Sequence, residues 1–160
     1  MTDDIKSALE ALKTSMLSLQ LATISEEGEP HCGYTPFIIN GADFYIFVSQ
    51  LSLHTRDLLS TRRAGVMLIA DEQNSSQIYA RTRVNYQCTA SVISQEEEHY
   101  DSLLDALRER QGKMVDLIRQ LPDFILFRLT PTSGQFVMGL GKAYRLSGEN
   151  LDVFEHAKSA

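Results

Sequence analysis

The sequence has no excess of basic charge. Its 160 residues carry 15 Lys and Arg against 21 Asp and Glu, a formal net charge of −6. That balance excludes nonspecific nucleic-acid binding, which needs a basic surface to displace counterions. Cysteine is scarce, and Cys32 and Cys88 stand far apart without a CxxC partner. This excludes a zinc site of the usual spacing. Both cysteines are expected on strands as small buried side chains, which fits a reducing compartment. No apolar run approaches the roughly 20 residues that span a bilayer. The opening Met1-Thr2-Asp3-Asp4 is acidic, the opposite of a secretory leader, so the expected location is the cytoplasm. There is no Walker or GxGxxG loop. Gly139-Leu140-Gly141 lacks a third glycine and reads as a strand kink. Repeats, low-complexity segments and internal linkers are also missing, so the expectation is one domain over 1–160.

What is present reads as helix, then about seven strands with helices inserted. Thr2 or Asp3 can cap a first helix over 1–16, in which Ile5, Leu9, Leu12 and Met16 recur at helical spacing. Strands are expected over 17–24, 31–39 and 44–49. A turn at Glu26-Glu27-Gly28-Glu29-Pro30 separates the first two, and an Asn40-Gly41 hairpin the last two. A helix is expected over 53–61 with Ser52 as its cap. A strand at 65–70, a polar loop at 71–76 and a long strand over 78–93 follow. The acidic run Gln95-Glu96-Glu97-Glu98 should open a third helix that Gly112 breaks, with a short helix over 114–120. Two strands, 124–129 and 135–138, are expected to join at Pro131-Thr132-Ser133-Gly134, with 139–146 continuing the second. The tail over 147–160 is expected to be loose unless something ties it down. The pattern predicts an α+β, mainly β fold: an antiparallel barrel with flanking helices.

Few side chains carry chemistry. Arg81 and Arg83 are two apart on an expected strand and so share a face, where two guanidinium groups can grip an anion. A solvated face with surface ion pairs is the other reading. Ser49, His54, Thr55 and Arg56 surround the start of a short helix, where backbone N–H groups favour anions. Alternatively Ser49 merely ends a strand and Arg56 is exposed. Pro36 within Tyr34-Thr35-Pro36-Phe37 cannot donate a ladder bond, so this strand lies at an edge, bulges or faces a ligand. Tyr34 and Phe37 are read as core. Asp123 heads a strand, where it can orient a ligand histidine or cap the turn after Pro122. No nucleophile–base pair sits at local spacing, so redox chemistry would come from a bound cofactor.

Five segments in order carry a family resemblance. They are Leu19-Gln20-Leu21-Ala22-Thr23-Ile24; Tyr34-Thr35-Pro36-Phe37; His54-Thr55-Arg56-Asp57-Leu58; Tyr79-Ala80-Arg81-Thr82-Arg83-Val84; and Asp123-Phe124-Ile125-Leu126-Phe127-Arg128-Leu129 with Phe136-Val137-Met138-Gly139-Leu140-Gly141-Lys142-Ala143-Tyr144. Together they resemble the haem-utilisation branch of the pyridoxamine 5′-phosphate oxidase-related FMN-binding split barrels. The resemblance implies a six-stranded antiparallel split barrel, a homodimer with ligand sites between subunits, and haem or FMN as cofactor. Taken with the helix-start reading, it gives expected cofactor contacts from Thr35, Pro36, Ser49, His54, Thr55, Arg56, Arg81, Arg83 and Lys142. In the haem branch a C-terminal histidine ligates the iron. His156 is the candidate here, with Asp123 accepting its second ring proton, although this tail stops sooner than the family pattern. An enzymatic member would need an external electron donor.

Overall fold

The computed structural model describes residues 2–157. The N-terminal helix forms as α1 (Thr2–Ser15). Asp3 and Asp4 sit in its first turn, at the positive end of the helix dipole, and Ile5, Leu9 and Leu12 form its buried stripe. β1 (Ser18–Ile24) buries Leu19, Leu21 and Thr23 and exposes Gln20 and Ala22. It pairs with β2 (Pro30–Pro36). The strand expected over 31–39 is in fact two. β2 ends at Pro36, which cannot donate the next ladder bond, and β3 (Ile38–Asn40) begins at the other end of the sheet. The hairpin after it is shifted by one residue. Asn40 pairs with Asp43 of β4 (Asp43–Ser49), so Gly41 and Ala42 make the turn, and only Gly41 is left-handed, at φ +66°.

β4 is buried on both faces and divides two cores. Phe44, Ile46 and Val48 face the barrel interior with Leu21, Phe127 and Phe136. Tyr45 and Phe47 face a second layer with Leu103, Leu104 and Leu107. α2 (Leu53–Thr61) occupies its expected range, although Ser52 at the N-cap makes no side-chain cap bond. β5 (Arg63–Ile69) and two 3₁₀ turns (Glu72–Asn74 and Ile78–Ala80) lead to β6 (Arg83–Ile93). The strand expected from 78 thus starts at Arg83, because the Gln77 side chain accepts the Tyr79 N–H and winds a turn. The acidic run 96–98 does not open a helix. Ser94 accepts the Glu96 N–H and donates to the Glu96 carboxylate, which holds a turn instead. α3 (Tyr100–Gln111) starts after His99 and ends at Gly112, at φ +99°. α4 (Met114–Ile118) follows.

β7 (Phe124–Gly139) is one 16-residue strand where two were expected. Cys88 faces Pro131 and Gln87 faces Ser133, so Thr132 bulges, and the bulge admits a proline inside the strand. β8 (Lys142–Ser147) turns back at Leu140-Gly141 rather than continuing β7. The tail is tied down as far as it is described, because β9 (Val153–His156) pairs with β8. Every pairing is antiparallel, in the order β2-β1-β5-β6-β7-β4-β3, with β8 and β9 branching from β7. Among the described residues there are nine strands, somewhat more than the implied six, and β2 and β3 do not pair, so the sheet does not close and the split-barrel expectation holds. Among the described residues no helix is long and apolar enough to cross a membrane.

Cys88 is buried as expected, but Cys32 is exposed, on the open face of the edge strand β2. Burial, with Asp43 adding to it, pushes the Cys88 thiol up to about 12. A maleimide should therefore label Cys32 in the native protein and Cys88 only after unfolding. Fast native labelling of Cys88, read by mass spectrometry, would show that this part of the core is open.

Candidate ligand cavity and a separate basic edge

Because the chain leaves one sheet edge at Pro36 and starts the other at Ile38, the C-terminal end of β2 faces β4 across the seam. A cavity of ≈ 370 Å³ lies there. Thr35, Pro36, Ser49 and His54, all expected site residues, line it. Its apolar walls come from Phe47, Met114, Val115, Ile118 and Phe124. Tyr34 lines its mouth and is 70% exposed, not core, whereas Phe37 is buried as expected. The edge position of β2 is the physical reason, since its outward side chains have no strand or helix above them.

Several bonds hold the walls. Ser49 Oγ donates to Asp123 Oδ2 at 2.6 Å and accepts the Leu51 N–H at 3.1 Å. Asp123 therefore secures the turn out of β4 beside the cavity. Gln111 Nε2 donates to the Leu17 and Phe37 carbonyls at 2.8 and 2.9 Å, pinning the seam crossing. Sequence reasoning missed Gln111 and Met114. The available signal was the Gly112 helix break between them, which turns α3 into α4 at the cavity. Burial lowers the pKa of His54 and the Asp57 carboxylate opposes the shift. His54 is thus a neutral imidazole near neutrality. Thr55 is fully buried, and its Oγ1 has no partner among the described residues. Arg56 is exposed and does not line the cavity.

The basic residues lie elsewhere. Arg81 precedes β6 and Arg83 begins it, so they do not share a strand face. Arg81 donates through Nε and Nη2 to the Ala70 carbonyl at 3.0 and 2.6 Å, and Arg83 Nη1 donates to the Arg81 carbonyl at 2.9 Å. Arg83 pairs with Val137 near the far end of β7, and Val137 pairs with Ala143, next to Lys142. His156 pairs with Tyr144 and stacks edge-on against it, with ring centres 5.5 Å apart. Its Nε2 is 2.8 Å from the Gly141 carbonyl. A carbonyl only accepts, so Nε2 is the donor of this bond.

The expected site residues thus form two groups at opposite ends of β7. The cavity group adjoins Phe124, whereas His156 reaches β7 through Tyr144 at Phe136. At about 3.3 Å per residue these rungs are on the order of 30–40 Å apart along the strand. Asp123 and His156 of one chain do not meet.

The pyridoxamine 5′-phosphate oxidase family pattern matches residues 2–138. The heme oxygenase HutZ of Vibrio cholerae serotype O1 is 37% identical over 139 residues, 87% of this chain and 79% of that protein. A crystal structure of HutZ, described as the heme storage protein from Vibrio cholerae, has a TM-score of 0.79 at 32% identity. It covers 83% of this chain and 94% of its own. The Campylobacter jejuni ChuZ structure has a TM-score of 0.87 at 27% identity, spanning 97% of this chain but 63% of ChuZ. These relatives and the split barrel agree with the resemblance carried by the five sequence segments, and the chain belongs to the pyridoxamine 5′-phosphate oxidase family.

Proposed function

We propose that this chain binds haem, in haem-iron utilisation, at a site completed by a second copy of itself. The observation that carries the reading is the 37% identity to a protein described as a heme oxygenase. The cavity chemistry suits a macrocycle, being apolar with a neutral imidazole at its wall. Its ≈ 370 Å³ is near the lower end of the about 300–1,000 Å³ of small-molecule sites, which suits half a site per protomer. A face for the second copy is available. Tyr34, Gln20, Met67, Asn85 and Gln135 form one outward row across five strands without a charge. A two-fold axis normal to that row sets the cavity edge of one copy opposite β8 and β9 of the other. The two separated groups then face each other.

In this reading the His156 ring would leave the Gly141 carbonyl, reach across and ligate the iron, and Asp123 of the facing copy would accept its remaining ring N–H. Arg81, Arg83 and Lys142 would hold the propionates, and Thr35, Pro36, Ser49, His54, Thr55 and Arg56 would shape or support the pocket. Bound haem would supply the iron that activates O₂, with electrons from an external donor. The reading places the homodimer in the cytoplasm. FMN is the second reading, favoured by the family match over residues 2–138, with the same arginines on its phosphate.

Absorption titration with hemin and with FMN tests the choice. Hemin should give a Soret band that His156→Ala alters, and Arg83→Ala should weaken binding by about 1.5–3 kcal/mol. Light scattering should give about twice the 18.0 kDa chain mass. Saturable FMN binding without specific hemin binding would replace the haem reading, and a stable monomer would remove the shared site.

A further inference from the structure

We infer that Asp57 is a positioning residue for the cavity: a buried carboxylate that clamps α2 onto β2 and thereby seats His54 in the cavity wall. This rests on reading the cavity as a ligand site. Asp57 is only 4% exposed. One of its oxygens, Oδ2, takes the Thr23 hydroxyl at 2.7 Å and lies 2.6 Å from His31 Nδ1. Thr23 and His31 are register partners across β1 and β2. A single carboxylate oxygen therefore binds one rung of the sheet edge to one point on the helix.

The spacing on both elements turns that clamp into a device for His54. On α2, residues 54 and 57 are three apart and lie on one face. On β2, residues 31, 33 and 35 alternate onto one face. His31 holds the clamp, Gly33 receives the His54 ring, and Thr35 lines the cavity. A Cβ on Gly33 would stand 2.9 Å from His54 Nδ1, so the ring seats where β2 has no side chain. Clamp, seat and cavity wall are consecutive positions on one strand face, matched by consecutive positions on one helix face. Among the described residues His31 and His54 are the charged or titratable groups acting on Asp57, and Asp57 is the one acting on His54. Asp57 does not itself line the cavity and acts on it only through His54.

NMR of the His54 ring in the ligand-free full chain, with hemin titration of the same samples, tests this. Asp57→Asn should shift the His54 Hε1 resonance and lower its titration midpoint, the effect of losing a nearby opposite charge. Gly33→Ala leaves the clamp intact but displaces the ring, and should shift the same resonance. Both variants should weaken hemin binding. If Asp57→Asn does not fold, Thr23→Val removes one donor, keeps the charge, and should still move the resonance. A His54 signal and midpoint unchanged in a folded clamp variant overturn the inference, whatever the loss of stability. Failure of the wild type to bind hemin would sink the haem reading and leave the resonance test standing.

Discussion

Replacing Phe127 with alanine should lower the stability of the fold by about 3–5 kcal/mol, the usual cost of deleting a buried aromatic ring. Phe127 is fully buried in the barrel core. It pairs with Ile46 of β4 on one side and Val92 of β6 on the other, so it sits in the middle of the sheet with no free edge to relax toward. Close packing leaves the hole unfilled, and the lining atoms lose their dispersion contacts. Against a typical total of about 5–15 kcal/mol for a domain, this is a large fraction. Urea denaturation followed by circular dichroism measures it. A loss below about 1 kcal/mol would mean that the ring does not fill the core. Phe127→Leu keeps most of the volume and should recover more than half of the loss.

Asp57→Ala should cost about 3 kcal/mol at pH 7, because it strands two donors that share one carboxylate oxygen. The lower end of the range applies, since the His31 side chain keeps 28% exposure and can partly turn to water. The same carboxylate makes stability depend on pH. Burial raises the Asp57 pKa, but the hydrogen bonds from His31 and Thr23 and the two nearby imidazoles outweigh it, so the folded value lies below the ordinary 3.8. The unfolded chain therefore binds more protons in that window, and stability falls as pH falls. The contribution is full above the unfolded value near 4 and is lost as pH drops through the folded value. The gap in urea midpoint between wild type and Asp57→Ala, measured at pH 7 and at points below about pH 4, should narrow steadily as the pH falls. A gap that is unchanged at acid pH would assign the loss to packing instead of charge.

The sequence by itself determined the local elements whose signals are local. α1 carries apolar spacing, and both α1 and α2 sit where expected. β1 and β4 are compact β-favouring runs, and Gly112 ends a helix because it is free to take φ +99°. The resemblance in five short segments brought Thr35, Pro36 and His54 into view, the reading of the helix start added Ser49, and all four line one cavity. Tertiary structure alone decided the rest. Whether Pro131 breaks a strand depends on Thr132 bulging against Gln87 and Cys88, and that needs the partner strand. Gln77 and Ser94 turned expected strand and helix starts into turns, because one side-chain oxygen can satisfy a backbone N–H before the regular element does. Arg81 and Arg83, two apart in sequence, lost their common face in this way. β9 formed because β8 offered an open edge, a fact that no residue of the tail states. The Thr23–His31–Asp57 clamp joins residues 26 and 34 positions apart. Only the register of β1 against β2, and the placing of α2 across both, brings those atoms within hydrogen-bond distance.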